Sequence, residues 1–212
     1  EPLGLSMAAL FALAPLTGSL FVMLALVLLL LVAAAGWYVV TPRASIGDVS
    51  TTVFGPLYTS LMFSPIVLIR MYDKGVMGAL LAFGVIFSIW ANDAMAFFVG
   101  SRVGRHKLAP RISPNKSIEG LAGGIAACML VWVVMWASGA FALSLPLAVA
   151  SGFVVGLFGV VGDLFESRIK RGVGLKDSGD FMPGHGGMLD RSDSLLFGCT
   201  VAFFMLRLGG IL

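Results

Sequence analysis

The sequence has few charged residues: Asp, Glu, Lys and Arg make up only 12% of its 212 positions, about half the ~25% that is usual in soluble domains. Cysteine is also scarce, with two residues, which excludes a disulfide-rich scaffold. Apolar residues account for 58% of the chain, and the mean hydropathy is +0.99. This composition excludes a water-soluble globule and a disordered chain, and it predicts that lipid is the solvent for most of the protein.

Long apolar stretches dominate the chain, and about 20 such residues are enough for a helix to cross a bilayer. No internal repeat and no low-complexity linker divides them. We therefore predict an all-α fold, a polytopic transmembrane bundle with about six or seven spanning helices. The expected spans are residues 17–40, 51–70, 75–99, 119–138, 145–167 and 193–212, with a shorter apolar segment at 3–14.

Basic residues concentrate in two loops, 100–118 and 168–191, which hold five Lys or Arg each. Loops rich in Lys and Arg remain in the cytoplasm, so both loops are predicted to face it. Alternating the spans from there places 11 of the 14 basic residues on that side. Orientation in the membrane thus explains the net charge of +3, which does not indicate a nucleic-acid partner.

Acidic residues near the ends of apolar spans are functional candidates, because burying a charge in lipid is costly. Asp93 lies about two turns before the loop expected to start at Gly100. Asp163 and Glu166 share one face of a later span, with Ser167 one turn beyond Asp163. The alternative for Asp93 is a structural hydrogen bond to a neighbouring helix.

For Asp163 and Glu166 the alternative is an ion pair with Arg168 or Lys170. We favour the functional interpretation because eight of the eleven acids share one predicted membrane face with ten Lys and Arg residues. That density of mixed charge exceeds what orientation requires.

A divalent metal ion is the simplest use for acids from separate segments at one depth. Mg²⁺ typically takes one or two carboxylates and completes its shell with water and phosphate oxygens. Asp163 ends one span and Asp190 precedes the next, so the two are predicted to share such an ion. Capping of the last helix is the alternative for Asp190 and Asp193.

Two segments are candidates for phosphate binding. Ser113 can cap a helix with Pro114 at its first position, so that free backbone amides and Lys116 face one anion. In the segment 183–187, glycines allow backbone amides to form an anion-binding nest, and His185 is a candidate base or orienting donor. The alternatives are ordinary turns and a solvated histidine.

Polar motifs recur at defined spacing through the second part of the chain, roughly residues 85–212. In their order they resemble the signature of the phosphatidate cytidylyltransferases, also called CDP-diacylglycerol synthases. Met182 and Ser192 depart from the family pattern at side positions. The motifs are Asn92-Asp93, Gly104-Arg105, Ser113-Pro114-Asn115-Lys116-Ser117 with Glu119, Gly162-Asp163, Ser167-Arg168-Ile169-Lys170-Arg171, Lys176-Asp177, Pro183-Gly184-His185-Gly186-Gly187 and Asp190-Arg191 with Asp193.

The resemblance implies a Mg²⁺-dependent transferase of phospholipid biosynthesis. Such an enzyme moves the cytidylyl group of CTP to phosphatidate, giving CDP-diacylglycerol and pyrophosphate. A phosphate oxygen of the lipid can attack the α-phosphorus directly, so catalysis reduces to positioning and charge neutralisation. The implied organisation is a single integral membrane domain, 1–212, with N-terminal helices lacking recognised motifs in 1–84 and the catalytic part in 85–212.

The expected partners are CTP, phosphatidate and bilayer lipid, with a second cation and a homodimer as further implications of the family. The expected location is the bacterial inner membrane, with the active site at its cytoplasmic face. The basic residues cannot be divided between the two substrates from the sequence. The implied catalytic residues are Asp163, Asp190, Lys170, Arg171 and His185. The implied metal ligands are Asp163 and Asp190, with Asp93 and Glu166 as further candidates. The implied substrate-binding residues are Asn92, Asp93, Ser113, Asn115, Lys116, Ser117, Glu119, Ser167, Lys176, Asp177, Gly186, Gly187, Arg191 and Asp193.

Two other functions fit parts of the pattern. A CTP-dependent polyprenol or phytol kinase would share the topology, but it needs a base for a hydroxyl acceptor, for which His185 or Asp93 would have to serve. An ion transporter would place its acids near the middle of the bilayer between repeated halves, whereas here they gather toward one face.

Overall fold

The computed structural model describes residues 2–73, 75–179 and 187–212. Within them the chain is predominantly helical, which confirms the all-α polytopic bundle. The helices are α1 (Pro2–Leu13), α2 (Leu20–Val40), α3 (Ile46–Pro56), α4 (Pro65–Arg70), α5 (Val76–Val103), α6 (Ile118–Ala137), α7 (Leu145–Gly172) and α8 (Asp193–Leu208), with short helical turns at Ala14–Thr17, Leu57–Leu61 and Leu189–Arg191.

Five helical stretches in the described chain are long and apolar enough to span a bilayer: α2, the run Ile46–Arg70, α5, α6 and α7. Helices α1 and α8 are shorter, with 12 and 16 residues. Helices α5 and α7 continue to Val103 and Gly172, about one turn beyond the predicted ends of their spans. At 28 residues each they are about 42 Å long, so their ends project past a hydrocarbon core of about 30 Å.

The chain divides into two compact units, one ending at Leu68 and the other formed by Ile69–Leu212. In the first unit, Met7, Phe11 and Leu30 form a buried apolar cluster. Helix α3 starts with a capping box in which the side chains and amides of Ser45 and Asp48 bond to each other. The predicted catalytic part lies entirely in the second unit.

Glycines allow helices α5, α6 and α7 of the second unit to approach closely. A Cβ atom added at Gly124 would lie 2.7 Å from the backbone oxygen of Asn92, and one at Gly152 would lie 2.5 Å from the Cα of Met129. Small residues at such contacts are typical of helix packing in lipid. The glycines of α6 and α7 therefore permit close packing of these helices.

An antiparallel β-hairpin, β1 (Lys107–Ala109) and β2 (Ser113–Ser117), connects α5 to α6, with Lys107 opposite Ser117. Our prediction that Ser113 caps a helix starting at Pro114 is wrong. Helix α6 begins at Ile118, and its cap is Ser117, whose Oγ accepts a hydrogen bond from the Gly120 amide at 3.1 Å. Both serines fit the cap pattern, but the pairing with β1 holds residues 113–117 in an extended conformation.

Candidate functional site

A cavity of about 560 Å³ lies among α5, α6, α7 and the hairpin. Its lining combines charged side chains with apolar ones, and it contains six residues that the sequence had indicated as binding or metal-ligating. Those six are Asp93, Ser113, Asn115, Lys116, Ser117 and Asp163; the apolar lining includes Phe97, Leu108, Leu121 and Val160.

Lys116 and Asp163 form an ion pair across this cavity, with 2.5 Å between Lys116 Nζ and Asp163 Oδ2. Both side chains are partly exposed. Asp163 also accepts a hydrogen bond from Ser167 Oγ at 3.3 Å, as the four-residue spacing of these two residues allows. The pair connects the hairpin to α7 and keeps one acid and one base at the cavity wall.

Asp93 and Asp193 approach the same region from α5 and α8. The Asp93 carboxylate accepts a hydrogen bond from the Ser194 side chain and a longer one, 3.5 Å, from Asn92 Nδ2. Asp193 is buried at the start of α8 and accepts a hydrogen bond from the Ser194 amide at 2.7 Å. The negative charge of Asp163 acts on both acids, so three helices bring their carboxylates together at one end of the bundle.

A second cluster surrounds Lys170 on the last turns of α7. Its Nζ lies 2.5 Å from Glu166 Oε2 and 2.5 Å from Asp190 Oδ1. The Glu166 side chain is only 1% exposed, and a buried carboxylate requires such a partner. The ion-pair alternative for Glu166 is therefore confirmed, with Lys170 as the partner.

Asp190 is surrounded by donors from its own chain. Its Oδ2 accepts hydrogen bonds from the Ser178 amide and hydroxyl, both at 2.8 Å, and from the Gly187 amide at 2.7 Å. Burial acts to raise the pKa of Asp190, but the bonds from Lys170, Ser178 and Gly187 outweigh it and hold the pKa well below its ordinary value. Asp190 thereby links α7 to residues on both sides of the segment 180–186.

Both Asp190 oxygens are engaged by these donors, while Asp163 faces Lys116 and Ser167. Among the described residues, no three His, Cys, Asp or Glu side chains are grouped closely enough to enclose a metal ion. The shared ion of Asp163 and Asp190 remains a prediction.

Glu119 has a local role at the start of α6. Its carboxylate accepts hydrogen bonds from the Arg105 amide at 3.0 Å and from the His106 amide, and it lies 2.6 Å from His106 Nδ1. These bonds tie the chain entering β1 to the helix that follows β2. Glu119 therefore supports the hairpin that covers the cavity.

The remaining predicted site residues lie at several places. Asn92 is fully buried where α5 meets the glycines of α6 and α7. Arg171 donates to the Leu175 carbonyl at 3.1 Å, and Lys176, Asp177 and Arg191 are exposed beyond α7. His185 and Gly186, with Pro183 and Gly184 of the predicted nest, lie outside the described residues.

The predicted site residues did not include several residues of the cavity wall, among them Phe97, Lys107, Leu108 and Leu121. Phe97 could have been found, because it lies four residues after Asp93 and hence on the same face of α5. Lys107 could not have been placed at the cavity from the sequence, since its position depends on the pairing of β1 with β2.

Comparison with known proteins gives one family. The model of the cytidylyltransferase family matches residues 2–209. The chain is 36% identical over 161 residues to a phosphatidate cytidylyltransferase of Bacillus subtilis, covering 76% of this chain and 59% of that protein. For the enzymes of the same name from Staphylococcus saprophyticus and Staphylococcus haemolyticus, the identities are 39% over 155 residues and 46% over 109 residues, covering 73% and 51% of this chain. The chain spans 59%, 58% and 42% of the length of these three relatives.

Proposed function

The chain belongs to the cytidylyltransferase family, and from that premise we propose that it transfers the cytidylyl group of CTP to phosphatidate. The products are CDP-diacylglycerol, used for phospholipid biosynthesis, and pyrophosphate. The observation that carries this proposal is the cavity in which Lys116, Asp163 and Asp93 meet apolar side chains at the end of membrane helices. A charged cavity at that depth suits a reaction between a water-soluble nucleotide and a lipid phosphate.

The proposed location is the bacterial inner membrane, with the cavity at its cytoplasmic face. The two loops rich in Lys and Arg adjoin the cavity and the Lys170 cluster, and such loops remain on the side where CTP is available. Phosphatidate keeps its acyl chains in the bilayer and presents its phosphate at the same level.

In the proposed reaction a phosphate oxygen of phosphatidate attacks the α-phosphorus of CTP, and the bond to pyrophosphate breaks. No protein nucleophile is required. The chain contributes by holding the two phosphates in contact and by offsetting their charge. Lys116 at the cavity and Arg171 and Lys176 beyond α7 are suited to this role, since phosphate is recognised by cationic side chains.

Mg²⁺ is the proposed cofactor, and a second cation is a further proposal. The donors fit, because Asp93 and Asp163 both line the cavity and offer carboxylate oxygens, and Mg²⁺ typically takes only one or two carboxylates. A cation that keeps positions open for water and phosphate oxygens requires such an incomplete set. Asp163 would hold it, with Asp93 as a further ligand. Asp190 and Glu166, the other predicted ligands, are engaged by Lys170. When bound, Mg²⁺ would offset negative charge on the phosphate groups.

Product analysis separates this function from that of a CTP-dependent lipid kinase. The purified chain is incubated in phosphatidylcholine nanodiscs with CTP, phosphatidate and Mg²⁺, and the lipid and aqueous products are identified by mass spectrometry. We expect CDP-diacylglycerol and pyrophosphate, both absent when phosphatidate is omitted. Formation of CDP with a phosphorylated polyprenol or phytol, when such an alcohol replaces phosphatidate, would instead establish the kinase.

A further inference from the structure

The cavity under the hairpin has one wall residue that is exposed on the outer face of a spanning helix. Phe97 lines it, lies in spanning helix α5 and is 78% exposed. It precedes the end of α5 at Val103 by six residues, about 9 Å along the axis. Because α5 exceeds the hydrocarbon thickness by about 12 Å in all, Phe97 lies close to the boundary between acyl chains and head groups.

The lining of this cavity is amphipathic. Phe97, Leu108 and Leu121 form its apolar part, while Lys107 and Lys116 of the hairpin provide positive charge. A ligand with a hydrocarbon chain and an anionic group matches both parts at once, whereas a nucleotide has no hydrocarbon chain to place against the exposed Phe97.

The two lysines fit a single phosphate group, provided that the proposed cation offsets Asp93 and Asp163, which also line the cavity. Lys116 is paired with Asp163, and Lys107 is exposed and forms no ion pair with any residue in the described ranges. A phosphomonoester carries a charge of about −1.5 to −2 near neutral pH. A triphosphate carries more, and the end of α7 and the residues after it present three exposed basic side chains, Arg168, Arg171 and Lys176.

We propose that the cavity under the hairpin binds the head group of phosphatidate, with its phosphate between Lys107 and Lys116 and its glycerol and first acyl carbons against Phe97, Leu108 and Leu121. This assignment rests on the proposed function, and it divides the basic residues between the substrates. The hairpin binds the lipid phosphate, and the basic residues at and beyond the end of α7 bind the triphosphate. Asp163, paired with Lys116 and located on α7, lies between the two groups.

Steady-state kinetics of Lys107→Gln test the assignment. We expect the KM for phosphatidate to rise about tenfold, the loss typical of one charge-assisted contact, while the KM for CTP and kcat change less than about twofold. Arg111→Gln is the matched control, since Arg111 is exposed on the same hairpin and does not line the cavity. Neither KM should change in that variant. A rise in the KM for CTP in Lys107→Gln, or equal effects of the two variants, would overturn the proposal.

Binding without turnover separates this proposal from the proposed function. Isothermal titration calorimetry with dihexanoyl phosphatidate, in nanodiscs of phosphatidylcholine and without CTP, should give a Kd about tenfold higher for Lys107→Gln than for the wild type. Lys107→Arg, which keeps the charge, should restore binding. Glycerol 3-phosphate, which has the same phosphate and no acyl chain, should bind more weakly than the lipid.

Each outcome has a defined meaning. If the wild type makes CDP-diacylglycerol but Lys107→Gln binds the lipid as tightly as the wild type, the lipid site is wrong and the function stands. If the wild type makes no CDP-diacylglycerol yet binds phosphatidate through Lys107, the function is wrong and the lipid site stands. If glycerol 3-phosphate and dihexanoyl phosphatidate bind with equal Kd values, the apolar residues do not contribute to binding, and that part of the proposed site is wrong.

Discussion

At the scale of single residues, the acids of this chain divide into two groups with different partners. Asp163 faces the cavity and pairs with Lys116, whereas Glu166 and Asp190 share Lys170. The sequence indicated all three acids as candidates and offered the pair of Glu166 with Lys170 as an alternative, but it did not predict this division. The pair of Glu166 with Lys170 follows from four-residue spacing on one helix, while the contact between Lys170 and Asp190 joins a helix to a loop and leaves no periodic signal.

Asp163→Asn is predicted to reduce CTP-dependent pyrophosphate release by at least about a hundredfold, the size of effect found when a main electrostatic contribution to catalysis is removed. The substitution keeps size and hydrogen bonding but removes the charge that pairs with Lys116 and is proposed to bind the cation. Release is measured with a coupled pyrophosphate assay. Asp73→Asn is the control, since Asp73 accepts a hydrogen bond from the Gly75 amide that Asn can also accept, and lies outside the cavity. Normal turnover in Asp163→Asn would exclude Asp163 as an essential ligand.

Asp190→Asn is predicted to weaken the protection of the two backbone amides that donate to the Asp190 carboxylate. Amide exchange at Ser178 and Gly187 should accelerate about tenfold, because both amides donate to the carboxylate and a hydrogen bond to a charged group contributes about 1.5–3 kcal/mol. Hydrogen exchange followed by mass spectrometry measures this, with Asp177→Asn as a neighbouring control. Unchanged exchange at both amides would show that Asp190 does not protect them.

The same bonds predict a pH dependence. The pKa of Asp190 in the folded protein lies below its ordinary value of 3.8, so the stabilisation is complete above that ordinary value and is lost as the pH falls through the lower, folded pKa. Protection of the Ser178 and Gly187 amides, corrected for intrinsic exchange, should therefore persist from neutral pH down to about pH 4. Its loss at pH 5 to 6 would contradict a stabilised carboxylate.

At the scale of elements, the sequence predicted the helices well and the hairpin not at all. Long apolar runs locate α2, α5, α6 and α7 because lipid requires about 20 apolar residues per span. The hairpin strands have three and five residues, too few for an alternating pattern, and Ser113 imitates a helix cap. What decides between cap and strand is the pairing of Lys107 with Ser117, a contact between separate segments that no local pattern contains.

Ser113 and Ser117 both fit the cap pattern, but only Ser117 caps α6, so their contributions to stability should differ. Ser117→Ala should lower the stability of the protein by about 1 kcal/mol, because it removes the hydrogen bond to the Gly120 amide at the start of α6. Ser113→Ala should have little effect on stability, since Ser113 lies in β2 and caps no helix. Thermal unfolding in nanodiscs measures both. A larger loss of stability in Ser113→Ala than in Ser117→Ala would instead support a helix that starts at Pro114, as the sequence predicted.

At the scale of the whole molecule, the charge distribution predicts the orientation in the membrane. The hairpin lies before α6, and the connection Ser138–Ser144 lies after it, so one spanning helix separates them. The wild type has two cysteines, Cys128 and Cys199, both buried, which leaves a low background for labelling. A single cysteine at Arg111 should react with a membrane-impermeant maleimide from the cytoplasmic side only, and one at exposed Ala140 from the opposite side only. If the cysteines at positions 111 and 140 react from the same side of the membrane, the predicted topology is wrong.

The most direct measurement of the central claim follows the two ends of the triphosphate in a single reaction. CTP labelled separately on the α- and γ-phosphates is incubated with the chain, phosphatidate and Mg²⁺, and the lipid and aqueous phases are counted for the wild type and for Asp163→Asn. We predict that the α-label enters the lipid and the γ-label leaves as pyrophosphate in the wild type, and that neither moves in Asp163→Asn. Transfer of the γ-label to lipid, with the α-label remaining in CDP, would contradict the account.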